Sequence, residues 1–192
     1  MDSTTSAQPP KRANKRVLQL FFYGIFTWVR DIAQGHPDWC FPLAFVLAFG
    51  ESLAGVSLIV PGTVLLITLG GVIGASHIPL LPAWAGAAAG AIAGDWISWW
   101  IGFHYHHRIV HIVWFKRFEP QIEKALHFFH RWGAVAVFVG RFTGPLRASV
   151  PLVAGMSELE FWPFMIANAM SAFAWAFVLL APGAAFLREF VP

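Results

Sequence analysis

Between Glu51 and Asp95 the chain carries no Asp, Glu, Lys or Arg, and between Glu160 and Arg188 it again carries none. Both stretches exceed the roughly 20 apolar residues that a helix needs to cross a bilayer. Composition agrees: 57% of the 192 residues are hydrophobic and only 12% are charged. That is about half the roughly 25% charge of a soluble domain. Ten Trp and 19 Phe add bulk that a soluble fold of this length would struggle to hide. A soluble enzyme, a disordered chain and a nucleic-acid module with a broad basic face are excluded. The class that remains is an all-α integral membrane protein, whose helices satisfy their own backbone hydrogen bonds in lipid.

The few charges are unevenly placed. Residues 1–16 hold Lys11, Arg12, Lys15 and Arg16 against Asp2. Residues 104–132 hold Arg108, Lys116, Arg117, Lys124 and Arg131 against Glu119 and Glu123. The positive-inside rule places both segments in the cytoplasm. Residues 1–16 therefore read as a disordered basic cytoplasmic tail and 17–192 as a single membrane domain. Val17 to Val29 lacks a small-residue cleavage site and reads as a retained anchor, an interfacial helix first and a tilted span second. The single Cys40 excludes an internal disulfide and a cysteine metal cluster.

Two apolar blocks are interrupted. Residues 41–78 are broken at Pro61-Gly62, where proline removes a donor and glycine tolerates unusual dihedrals. A kinked helix or two half-helices in a re-entrant hairpin both suit that break. Residues 134–155 are broken at Gly144-Pro145 and again at Pro151. Each block precedes a stretch long enough to span, about 82–103 and 159–187. The first of these carries Gly86, Gly90 and Gly94 on one face, a pattern that lets helices pack backbone to backbone. Between the halves, 104–132 reads as an amphipathic helical connection at the cytoplasmic surface. His104, His107 and His111 share a face there, but without an interleaved carboxylate they read as interfacial rather than as a metal site. A broken block followed by a long helix, twice, is the sequence pointer to a transporter with a midplane site.

Four ionisable residues lie inside the apolar blocks: Glu51, Asp95, Arg141 and Arg147. A charge at the bilayer centre costs roughly 2.5–3.5 kcal/mol on insertion scales, so these residues must pair or face water. Arg141 and Arg147 bracket Gly144-Pro145. If the broken blocks face one another, Glu51 meets the guanidinium groups in one cavity and Asp95 reaches it from the next helix. The functional reading is a site for an anionic phosphate headgroup, gripped by arginine forks, with Glu51 exchanging a proton. The bland reading is a static Glu51–Arg pair that locks two half-helices together. Motifs for metalloprotease, serine hydrolase or nucleotide chemistry are absent, so neither an enzyme nor a cofactor is expected.

At these residues the sequence resembles the bacterial DedA family, whose shared core is also called the VTT or SNARE-associated Golgi domain. The signals are ESLAGVSLIVPG at 51–62, Gly94-Asp95 followed by Trp100-Ile101-Gly102, and FVGRFTGPLRASVPLVAGMSELEFWPFMIANAMSAFAW at 138–175. The resemblance covers about 41–185. It implies two re-entrant helical hairpins facing each other plus spanning helices, in an inverted-repeat-like arrangement. It also implies a flippase of the bacterial inner membrane that moves a phosphate-bearing lipid, undecaprenyl phosphate or a phospholipid, with protons as coupling partners. A non-selective scramblase, a proton-driven exporter and a structural or assembly protein are the alternatives. Family site residues match Glu51, Arg141 and Arg147. The chain departs from the pattern at Thr63, where many members carry a second carboxylate, and at Phe103, where many carry Arg. Many members also continue into a further spanning helix beyond the position of Pro192, so a homo-oligomer is the expected supplier of that surface.

Overall fold

The computed structural model describes residues 35–53, 62–110, 119–143 and 147–190, with Gly24, Thr27 and Asp31 as isolated positions. The tail at 1–16, most of the proposed anchor at 17–29, and Pro61, Gly144 and Pro145 lie outside the described residues. A 3-10 turn, Pro37–Trp39, leads into α1 (Cys40–Ser52), followed by α2 (Gly62–Ala75) and α3 (Leu80–Val110). Then come α4 (Glu119–Trp132), α5 (Ala134–Gly140), α6 (Val150–Met156) and α7 (Phe161–Phe190). Every element among the described residues is helical, as the charge-free runs require.

Two long helices organise the rest. On α3 lie α1 and α6, and on α7 lie α2 and α5, while α3 and α7 also touch each other. Glycines set these approaches. A Cβ on Gly86 or Gly90 would collide with the backbone oxygens of Phe41 or Phe45 on α1, and one on Gly94 would meet Phe49 and Ser52. The small-residue face read from sequence is thus the α1 seat. Further along α3, on another side, Gly102 abuts the Leu152 backbone of α6, while Gly155 abuts Trp99 in return. On the other side Gly70 and Gly74 meet the α7 backbone at Leu180 and Ala184. Gly90→Leu is therefore expected to push α1 off α3 and cost about 1–3 kcal/mol, the usual penalty of overpacking. A thermal-unfolding midpoint in detergent that stayed at the wild-type value would contradict this contact.

The ends of α2 and α6 are built alike. His77 and Glu158 take positive φ values of 53° and 56°. After α2, His77 N–H donates to Gly74 O and Ile78 N–H to Ile73 O; after α6, Glu158 N–H donates to Gly155 O and Leu159 N–H to Ala154 O. Each is a Schellman cap with an apolar residue just beyond it, and each turns the chain into a long helix.

Three expectations change. The helix expected to end near Phe103 runs on to Val110, so His104 belongs to α3 and the connection to α4 starts later. Pro151 does not break the second block a second time. It sits in the first turn of α6, where its missing N–H has no intrahelical partner to lose. Gly62 opens α2 in helical conformation, and the reason for glycine there is space, as described below.

Apolar and polar surfaces are inverted relative to a soluble protein. Trp162, Leu81, Val46 and Met170 are 72%, 65%, 63% and 62% exposed, whereas Glu51, Asp95 and Arg141 are 6%, 4% and 6% exposed. Of the described helices, Phe161–Ala185 within α7 is long and apolar enough to cross a membrane by length and composition. The 31-residue α3 has the length, but its tryptophans, glycines, serine and Asp95 lower its hydropathy.

Candidate functional site

Two apolar clusters fill the interior. One gathers around Leu66, Ala87, Ala91, Ala172 and Ala176, and the other around Trp99, Val137, Val153 and Phe164. The four charges lie between them. Asp95 is the sixteenth of the 31 residues of α3, and Trp175 the fifteenth of the 30 residues of α7. Both positions are about 22 Å from either helix end at 1.5 Å per residue.

Chain breaks bring the other three charges to that level. Glu51 lies in the last turn of α1, whose exit continues into extended backbone at Leu53. Arg141 caps the end of α5, and Arg147 precedes α6. A helix end places a side chain where its own backbone does not block it, which a mid-helix position cannot do.

The four form two pairs rather than one shared cluster. Arg141 Nη2 donates to Asp95 Oδ2 and, at 2.7 Å, to Asn168 Oδ1. Asn168 Nδ2 donates in turn to the Ile92 carbonyl at 3.3 Å, so Asn168 bridges α7, α3 and the end of α5. Arg147 Nη2 lies 2.9 Å from Glu51 Oε1. That is an ion pair by distance, but not one aligned as a hydrogen bond. Both terminal nitrogens of Arg147 and Glu51 Oε2 have no hydrogen-bond partner among the described residues. Thr63 Oγ1 donates to Glu51 Oε1, so the position that departs from the family pattern supplies a donor to the carboxylate. A Cβ on Gly62 would stand 2.5 Å from Glu51 Oε2 and 2.8 Å from Glu51 Cβ. Glycine is required there so that the start of α2 can approach the carboxylate.

All four charges expected from sequence lie near one another in the fold, as two pairs. Expected as an auxiliary, Asp95 is instead the principal partner of Arg141. Asn168 and Trp175, quoted only as family signature, stand beside the guanidinium groups: Arg147 Cζ is 4.1 Å from the Trp175 ring centroid and Arg141 Cζ is 5.9 Å from it. Asn168, Ser171 and Trp175 fall at i, i+3 and i+7 of the charge-free part of α7, a one-face signal that sequence alone offered. A narrow crevice is lined by Ser52, Asp95, Arg141, Arg147, Val150 and Pro151 among others.

Residues 60–185 match the VTT domain. The chain belongs to the VTT-domain family. Inner membrane protein YabI of Escherichia coli K12 is 37% identical over 138 residues, covering 72% of this chain and 54% of the relative. Inner membrane protein YqjA of the same strain is 28% identical over 144 residues, with coverages of 72% and 64%. An uncharacterized membrane protein of Buchnera aphidicola subsp. Schizaphis graminum is 29% identical over 157 residues, with coverages of 82% and 62%. The chain thus spans between about half and just under two thirds of the length of these curated relatives. No solved structure matches it. Membership in this family, also known as DedA, makes the chain a bacterial-type membrane protein, in keeping with its apolar outer surface.

Proposed function

We propose that this VTT-domain protein is a flippase, not an enzyme, and carries a phosphate-bearing lipid between leaflets of the bacterial inner membrane. The observation that carries the reading is Arg147, whose side chain is only 11% exposed. Its uncommitted donors line a crevice halfway along both long helices, beside a carboxylate that can exchange places with an anion. Guanidinium forks suit phosphate oxygens. In the resting arrangement Glu51 neutralises Arg147; protonation of Glu51 releases Arg147 to the headgroup, which couples lipid movement to protons. Undecaprenyl phosphate is the first lipid to test and phospholipids the second.

The architecture supports alternating access. We read α1–α2 and α5–α6 as two re-entrant hairpins of an inverted repeat, with α3 and α7 as the spanning helices. Helices α1 and α2 have 13 and 14 residues, about 20 Å each, short of the roughly 30 Å hydrocarbon core. In each half the first arm lies on its own long helix and the second arm on that of the other half. The matching caps at His77 and Glu158 repeat at the same joint. The basic tail and the basic segment near α4 then face the cytoplasm. A second reading, a structural protein held by fixed ion pairs, is favoured only for Asp95–Arg141, where Arg141 Nη2 donates to both Asp95 and Asn168.

Purified protein in liposomes, with fluorescent polyprenyl phosphate and phosphatidylethanolamine in one leaflet, tests the reading. Movement of the polyprenyl phosphate alone, faster under a pH gradient, is the expected result. Movement of both lipids irrespective of the gradient indicates a scramblase. Free phosphate indicates an enzyme, and no movement at all favours the structural reading.

A further inference from the structure

Trp175 is 5% exposed at the middle of α7, and both guanidinium groups lie within about 6 Å of its ring, the reach of a cation–π contact. The two arginines use that ring differently. Arg141 commits Nη2 to Asp95 and Asn168, and its Cζ is the more distant from the ring. Arg147 lies closer, at 4.1 Å, and its terminal nitrogens make no hydrogen bond to the described residues.

A guanidinium carries its five donors in plane, at its edge. A ring against its face attracts the charge without occupying any of those donors. A carboxylate in the same place would take the donors that an incoming anion needs. Glu51 and an anion therefore compete for the Nη2 side of Arg147, while the ring is compatible with either. Tryptophan has the strongest ring quadrupole of the aromatic residues, phenylalanine a weaker one, and leucine none.

We propose that Trp175 is a positioning residue: its ring holds the Arg147 guanidinium at cation–π distance so that the donors pass between Glu51 and a phosphate-type anion in the crevice. The inference rests on the lipid-phosphate reading of the site, but it concerns the holding of the anion rather than its transport.

The test uses the full chain in detergent, with inorganic phosphate and a short-chain phosphatidic acid as probes, read as thermal stabilisation against probe concentration. In Trp175→Leu the half-saturating concentration is expected to rise about tenfold, equivalent to ~1.4 kcal/mol, and in Trp175→Phe about threefold. Arg147→Lys should then weaken binding less in the Trp175→Leu background than in the wild type. A purely structural tryptophan gives another pattern: a lower unfolding temperature without probe, an unchanged half-saturation point, and additive effects with Arg147→Lys. That pattern overturns the proposal. Should Trp175→Leu not fold, Trp175→Phe and Trp175→Met answer the same question. Wild-type protein that binds the probes but moves no lipid removes the flippase reading and leaves the Trp175 proposal to its own binding data. Wild-type protein that shows no saturable stabilisation by either probe overturns both.

Discussion

Asp95→Ala is expected to lower the stability of the protein by about 3–5 kcal/mol, because it strands the Arg141 charge in the interior without a counterion. Asp95 and Arg141 are 4% and 6% exposed, so water cannot replace the lost carboxylate. Asn168 keeps one hydrogen bond to Arg141 but brings no charge. Asp95→Asn should be milder for the same reason in reverse, since it keeps a hydrogen-bond acceptor in place. The double variant Asp95→Leu with Arg141→Met should recover most of the loss, because removing both ions removes the desolvation problem. Unfolding in detergent, followed by far-UV circular dichroism, separates these outcomes. A single variant as stable as the wild type would mean that the pair is not buried together.

Arg147→Ala is expected to weigh the other way: to cost less stability than Asp95→Ala and to abolish lipid movement. Truncating one partner of a desolvated charge pair costs 2–5 kcal/mol in comparable interfaces, which corresponds to roughly 30-fold to several thousand-fold in transport. Arg147→Lys keeps the charge but loses the planar fork, so a partial loss of about tenfold is expected. Folding should tolerate these changes better than it tolerates loss of Asp95, because the Arg147–Glu51 pair is the less buried of the two and the Glu51 carboxylate left behind still accepts from Thr63 Oγ1. Glu51→Gln has its own signature: movement persists but no longer responds to a pH gradient. If Glu51→Gln and Arg147→Lys both transport like the wild type in the liposome assay, the site is not where the lipid binds.

The two predictions separate the pairs by role, and that separation was not legible in the chain. From sequence, the four charges in apolar blocks were visible one by one, since each is expensive in lipid. Their partners were not. Glu51 was expected to meet both guanidinium groups in one cavity, with Asp95 reaching it from the next helix. Which carboxylate meets which guanidinium depends on how the helices seat on α3 and α7. Backbone contacts at Gly102 and Gly155 set the α3–α6 register. Thr63 makes a similar point. In sequence it was a missing carboxylate, and in the fold it is a donor to Glu51, a role that needs the start of α2 to fold back over the end of α1.

By itself the sequence determined the solvent and the skeleton. Stretches without charge, longer than a bilayer is thick, require helices in lipid, and paired prolines and glycines require breaks in them. The same rule of cost determined which charged residues had to face inward. Tertiary structure alone decided the pairing of those charges, the placing of Trp175 under Arg147, and the use of Gly62 as clearance rather than as a flexible joint. The physical reason is range: hydropathy and backbone propensity act within a helix or a turn, whereas ion pairing acts over a few ångströms between segments that the chain separates by 46 residues for Asp95 and Arg141.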